Sequence, residues 1–328
     1  MPPLLPEGSR LRGRYKIVRV LSATRLRNMY LAEDQHLRGK HWVIRQMQPV
    51  GIDSSDRKWL IGQFEAEARI LSALEHPCLP KLVDFFIQDL FMYVIREFVP
   101  GLDLSIILQQ RAGRLAQKDA LGIGLSLCDL MTYLLKKKLP PIVFRELSLA
   151  NLVYTPEGQT KLIDFGFSRL FQREARLGSP DYAAPEQYAE DAEVDGRTLV
   201  YNVGALMYHL MSGHNPGSTP FALPPLQGLN PGVSDRCAEM IEKATRNEPS
   251  GRYGGLTELG KAILVAQQSK PSKRKGGTQR LERIPLPGGG NFRVESSKSS
   301  GLTGVLLMLL FVALVAAATY ALRHTGIL

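Results

Sequence analysis

Short runs of apolar residues broken by single charges fill the first fifty positions. Tyr15-Lys16-Ile17-Val18-Arg19-Val20, Met29-Tyr30-Leu31-Ala32 and His41-Trp42-Val43-Ile44-Arg45 predict three strands. The stretch from Trp59 to Leu74 predicts a helix, and Thr160-Lys161-Leu162-Ile163 a further strand. Val305 to Leu322 differs in kind, being uncharged and apolar on every face. At about 1.5 Å per residue it is long enough to cross a hydrocarbon core of about 30 Å. Its place behind a linker with no apolar period argues against a buried core helix, so residues 303–322 are expected to span a membrane. Met1 to Arg10 has no apolar core of the signal-peptide kind, which makes the span a tail anchor.

Charge divides the 328-residue chain. Residues 269–302 are rich in Ser, Gly, Pro, Lys and Arg and read as a flexible basic linker. Of the formal +10, a net +7 lies between Gln267 and Leu328 (nine Lys/Arg against two Glu), leaving +3 for the globular part. Nucleic-acid binding is therefore not expected. Lys270, Lys273, Arg274, Lys275, Arg280, Arg283, Arg293 and Lys298 precede the span and only Arg323 follows it, which puts the N-terminal part in the cytoplasm. The linker is either a solvated topogenic segment or a contact for anionic lipids, each basic residue near the surface contributing about 1 kcal/mol. Cys78, Cys128 and Cys237 are widely spaced and fit burial in a reducing cytosol.

The chemistry-bearing residues come in a fixed order. Glu146, within Phe144-Arg145-Glu146-Leu147-Ser148-Leu149-Ala150-Asn151, precedes Asp164-Phe165-Gly166 by 18 residues. Ala184-Pro185-Glu186 follows, then Tyr201 to Pro216, then Asn247-Glu248-Pro249-Ser250-Gly251-Arg252-Tyr253. From about Arg14 to Val265 this succession resembles bacterial-type (Hanks-type) Ser/Thr protein kinases, as a degenerate member. The resemblance implies an α+β, two-lobed fold with a small antiparallel β lobe plus a helix (14–98) and a mainly helical large lobe (99–268). A tail (1–13) precedes it, and the linker (269–302), the span (303–322) and a stub (323–328) follow. It also implies an ion pair between Arg252 and Glu186, and a long buried helix over Tyr201 to Pro216.

The same resemblance exposes what has been replaced. Kinases carry a glycine-rich loop whose backbone approaches the phosphates, and the equivalent positions here are Ser22, Thr24 and Arg27. Met29 and Val43 stand where smaller residues usually roof adenine, so the slot is narrowed or shut. Arg45 takes the place of the phosphate-holding lysine, with Glu67 as its helix partner; the planar fork suits a carboxylate better than it suits the phosphates. Arg96 falls at the back of the nucleotide pocket, where a buried guanidinium needs an anion such as Glu67 or Asp164; a register one residue off would turn it to solvent.

Glu146 replaces the catalytic Asp, its carboxylate displaced by about a bond length, and a misplacement of about 1 Å can cost roughly 100-fold. Ser148 replaces a lysine that steadies the transferring phosphate. Asn151 and Asp164 keep the magnesium-ligand positions, so ATP and Mg remain possible cofactors, although Asp164 serves equally well as a partner for Arg45 or Arg96. Phe144 and Leu199 replace a polar pair and, with Leu71, Leu82 and Phe165, suggest an apolar column between the lobes. Arg145 is available either to a phosphate on the segment bearing Ser168, Ser179 and Tyr182 or to Glu174.

Three readings follow. The first is a membrane-anchored pseudokinase that acts as a scaffold or allosteric partner of cytoplasmic signalling proteins. The second is a divergent active Ser/Thr kinase in which Arg25 or Arg27 reaches the phosphates. The third is a lipid-surface adaptor working through its linker.

Overall fold

The computed structural model describes residues 2–24, 27–48, 54–111, 113–137, 147–163, 181–188 and 195–269. Glu146, Arg145, Asp164, Phe144 and Phe165 lie outside them, as do Arg25, the candidate phosphosites Ser168 and Ser179 with Glu174, the linker from Lys270 and the expected span. Among the described residues no helix is long and apolar enough to cross a membrane.

Six antiparallel strands form the small lobe: β1 (Arg10–Leu11), β2 (Tyr15–Ala23), β3 (Arg27–Asp34), β4 (His41–Met47), β5 (Leu82–Gln88) and β6 (Phe91–Glu97), in the spatial order β1-β2-β3-β4-β6-β5. The three expected strands are present and longer than their apolar centres. Register shifts between Ile17 and Arg19 and between Val20 and Ser22 mark irregularities on β2, which increase local twist. Helix α1 (Ser54–Ser72) begins a turn earlier than expected and ends two residues sooner. Tight turns, Ala73 N–H to Ile70 O and Leu74 N–H to Leu71 O, close it ahead of Pro77.

Strand alternation divides this sheet into two buried faces. One carries Met47, Leu82, Met92 and Val94, which pack with Leu60, Phe64 and Ala68 of α1 and join the core of the large lobe. The other carries Tyr15, Ile17, Tyr30, Ile44 and Tyr93 and forms a second, separate core with Leu11 and Phe86. Within residues 1–13, read from the sequence as an N-terminal tail, Leu11 is part of this second core and Leu5 packs on it. Pro2 and Leu11 are buried, and Arg10–Leu11 pairs with β2. Three prolines and few apolar positions gave that segment no periodic signal.

A short sheet, β7 (Leu102–Asp103), β8 (Leu152–Tyr154) and β9 (Thr160–Leu162), lies in the large lobe together with helices α2 (Leu104–Gln110), α3 (Gln117–Lys136) and α4 (Gly196–Ser212). Asp195 caps α4 in a reciprocal box with Thr198, and Gly213 ends it at φ 74°, the left-handed geometry that glycine tolerates best. Nearly every residue of α4 is buried, Leu199 among them. A Cβ on Gly124 of α3 would overlap the Met207 sulfur of α4, so glycine permits the close approach of these two helices. Helices α5 (Asp235–Ala244) and α6 (Leu256–Gln267) complete the lobe.

Glu186 and Arg252 form the expected ion pair, bidentate at 2.6 and 2.8 Å. Arg252 also donates to the carbonyls of Arg246, Arg197 and Asn247, and its side chain is wholly buried. Burial works against the Glu186 carboxylate, but hydrogen bonds from Arg252 and Thr198 outweigh it and hold its pKa below the ordinary value. Asn202 of α4 fixes the same segment, donating to Tyr182 O and to Gln187 Oε1.

Arg252→Ala is expected to lower the unfolding free energy by about 3–5 kcal/mol in urea denaturation, because Glu186 is left charged and underpaired. The depressed Glu186 pKa makes its contribution complete above the ordinary carboxylate range and lost as pH falls through the folded value. The gap between wild type and Arg252→Ala must therefore narrow in acid.

Candidate active site

The cleft-facing side of the small-lobe sheet places several predicted residues together. Pairing of Met29 with Arg45, of Leu31 with Val43, of Val43 with Arg96 and of Arg45 with Val94 sets Met29, Val43, Arg45 and Arg96 on one face. Met29 and Val43 are half-buried, whereas Arg45 and Arg96 are only 4% and 3% exposed. The two guanidiniums are diagonal neighbours on adjacent strands, which concentrates positive charge at the back of this face. Glu67 on α1 is half-buried, between the core residues Phe64 and Ala68.

Arg96 faces inward, and its Nη1 donates to the carbonyl oxygen of Ile163 at 2.7 Å. The sequence suggested a carboxylate partner, Glu67 or Asp164, the latter outside the described residues; the structure adds a main-chain contact one residue before Asp164. A carbonyl carries no side-chain signature, so sequence alone had no means of naming it. The bond spans the two lobes, from β6 to the end of β9. Leu162 N–H donates to Cys78 O at 2.8 Å, and Ile163 N–H donates to Asn151 O at 2.8 Å. The approach to Asp164 is thus bracketed from the small lobe, from the connection after α1 and from the turn that carries Asn151.

Asn151 closes a single 3-10 turn, Leu149–Asn151, whose own N–H bonds to Ser148 O. Its half-buried side chain stands on the strand-leading turn next to Ile163. An amide oxygen of this kind is a suitable hard ligand for magnesium. Ser148 is half-buried and supplies a hydroxyl but no positive charge.

The β2–β3 hairpin is shaped by polar side chains and not by glycine. Strand pairing continues to Ala23 opposite Asn28, and Thr24 N–H donates to Arg27 O at 2.8 Å. The Thr24 hydroxyl lies 3.0 Å from Arg27 O and 3.2 Å from Arg27 N. Ser22 and Thr24 are exposed, and each has a Cβ where a phosphate-binding loop needs bare backbone.

The described residues fit the two parts of a nucleotide–magnesium site unequally. The donor chemistry suits magnesium at Asn151, whereas Ser22, Thr24 and Arg27 of the hairpin each carry a Cβ, and the cleft face of the sheet holds the guanidiniums of Arg45 and Arg96. Leu71, Leu82 and Leu199 are buried in one continuous cluster with Leu147 and Leu149, which gives the described part of the suggested apolar column.

Comparison with known proteins places these features in a family. A model of the protein kinase domain matches residues 30–257. The serine/threonine-protein kinase PrkC of Bacillus subtilis is 28% identical over 276 residues, which cover 79% of this chain and 41% of that protein. Serine/threonine-protein kinase pkn2 of Myxococcus xanthus is 28% identical over 88% of this chain and 36% of its own length. PknA of Mycobacterium tuberculosis is 27% identical, over 90% of this chain and 72% of that protein. The chain thus spans well under half the length of the first two relatives. Among solved structures, the kinase domain of M. tuberculosis PknI superposes with a TM-score of 0.64 at 22% identity, covering 81% of this chain and all of that one. That likeness establishes the two-lobed kinase fold.

Arg96→Met is expected to destabilise the protein by about 1.5–3 kcal/mol, the usual range for a lost charge-assisted hydrogen bond. The specific readout is hydrogen exchange at the Ile163 amide, which must accelerate relative to amides of α4. An unchanged Ile163 rate would show that Arg96 does not hold the approach to Asp164.

Proposed function

The chain belongs to the protein kinase domain family, and from that premise we propose that it is a membrane-tethered pseudokinase: a kinase-fold binding module for cytoplasmic signalling proteins with little phosphoryl transfer of its own. One observation carries the reading. The back of the cleft is held by the protein's own Arg96, bonded across the lobes to Ile163 O, so the chain supplies its own brace at this depth. The replacements of the phosphate loop by Ser22, Thr24 and Arg27, of the lysine by Arg45, of the catalytic Asp by Glu146 and of the second lysine by Ser148 all reduce the same capacity. Any one of them is tolerable in an enzyme. Their combination leaves neither a suitable phosphate cradle nor the usual charge for the transition state.

ATP and Mg, when bound by members of this family, supply the transferable phosphoryl group and its neutralising charge. In this chain Asn151 and Asp164 are the residues that fit the ion, and they favour the divergent-kinase reading. Thermal unfolding of the full chain with millimolar ATP and Mg separates the two. No magnesium-dependent shift is expected. Nucleotide at about 100 times its dissociation constant would stabilise the fold by roughly 2.7 kcal/mol. A shift of that size, abolished in Asp164→Ala, would overturn the pseudokinase reading.

The apolar run at 305–322 and the basic segment before it support single-pass anchoring, with the kinase-fold domain on the cytoplasmic side and linker lysines and arginines against anionic headgroups. The full chain is expected to stay with membranes after carbonate extraction, and a chain ending at residue 302 to be released. Retention of that shorter chain after salt washing would transfer the anchoring role elsewhere.

A further inference from the structure

The sheet face turned away from α1 is covered by residues 2–6, Pro-Pro-Leu-Leu-Pro. Three prolines in five positions fix φ near −65° and favour the polyproline II helix, in which every third side chain points the same way. Burial follows that period: Pro2 is buried and Leu5 half-buried, while Pro3, Leu4 and Pro6 are exposed. The surface beneath is aromatic, with Tyr30, Tyr93 and Phe86 in one cluster. Rings that offer a flat apolar body with polar tips are what grooves recognising proline-rich segments use.

Hydrogen bonds hold the segment by its backbone. Asn28 Nδ2 donates to Pro2 O at 3.1 Å, and Leu5 N–H donates to the Tyr30 hydroxyl at 3.1 Å. The Tyr30 hydroxyl donates to Gln46 Oε1 at 2.7 Å, and Gln46 Nε2 donates to Tyr93 Oη at 3.2 Å. The network is preorganised by the sheet and reads main chain, so it is indifferent to most side chains laid over it.

One part of it is left unused. Asn28 has no solvent exposure, and its Oδ1 is a buried acceptor with no hydrogen-bond partner. A carboxamide whose amide nitrogen binds a peptide carbonyl is shaped to accept a peptide N–H with its oxygen. Pro2 and Pro3 have no N–H to give. The segment that fills the groove therefore satisfies it incompletely, and a buried unmet acceptor is costly.

We propose that this face is a binding groove for an extended proline- and leucine-rich peptide of a partner protein, occupied in cis by residues 2–6 as a self-ligand. The partner segment has the same period-three apolar contacts and a non-proline residue opposite Asn28, whose N–H completes the carboxamide pair. Displacement frees residues 2–6. The groove lies on the side of the sheet opposite Arg45 and Arg96, so its occupancy does not require the cleft.

The probe is an acetylated, fluorescently labelled peptide of residues 2–9, and a second peptide carrying Pro2→Ala to restore an N–H. Both are titrated into the full-length chain and into a full-length chain lacking residues 2–6. Saturable binding to the shortened chain is expected, about tenfold or more tighter than to the intact chain, where the tethered segment competes at millimolar effective concentration. The Pro2→Ala peptide must bind more tightly than the natural one, and Asn28→Ala must abolish the difference between them. Equal binding to both chains, no saturable binding to a folded shortened chain, or a preference that survives Asn28→Ala overturns the proposal. If the shortened chain does not fold, the intact chain decides: excess Pro2→Ala peptide must accelerate hydrogen exchange at the Leu5 amide, and an unchanged rate makes residues 2–6 a structural strap only.

Discussion

The last residue of β9 and the one that follows it hold the two lobes in register. Leu162 bonds to the connection between α1 and β5 through Cys78 O, Ile163 N–H to Asn151 O, and Ile163 O to Arg96 on β6. Two of these are main-chain bonds, and all three use main-chain atoms of Leu162 or Ile163. Substituting the side chains of Leu162 or Ile163 leaves the bonding groups in place. The turn that carries Asn151 and the residue before Asp164 are therefore held together by main-chain atoms, whatever side chains stand at Leu162 and Ile163. The Glu186 and Arg252 pair does for the far end of the large lobe what this bracket does for the cleft, tying a segment to the helical core through buried charge.

The small-lobe sheet serves two cores at once. Alternate residues of β3 and β4 supply Met29, Arg45 and Met47 to one side and Asn28, Tyr30, Ile44 and Gln46 to the other. Neither face is available for wholesale change. A one-residue slip would carry Arg45 into the aromatic core and Gln46 into the cleft, exchanging a bonded amide for an unmatched guanidinium. This two-sided demand fixes strand register more firmly than a sheet with one wet face would. It also fixes partners for buried polar groups on the outer face, where Asn28 and Tyr30 both donate to Gln46.

Much of this was legible in the sequence. The strands announced themselves through Ile17, Tyr30 and Ile44, and the partnership of Glu186 with Arg252 followed from the order of the motifs. Strand ends were less legible. β2 and β3 run on to Ala23 and Arg27, beyond the apolar runs 15–20 and 29–32 that marked them, with Thr24 bonded to Arg27 at the hairpin. The cover over the outer face was missed for a physical reason. Asn28 and Gln46 look like solvent-facing residues until their bonds are seen, and Pro2 to Pro6 has no helical or strand period. Arg96 was singled out by its position, but its bond to the Ile163 carbonyl was not, because a backbone oxygen leaves no trace in composition or spacing.

Arg96 has a consequence for small-molecule chemistry. Compounds aimed at kinase clefts gain affinity by pushing an apolar ring past the adenine slot toward the rear. Here that depth ends in a guanidinium already engaged with Ile163 O, and a lipophilic group placed against it would strip the cation of a bond without replacing it. A ligand reaching this wall meets a buried cation, for which an apolar group is a poor neighbour and a hydrogen-bond acceptor a better one.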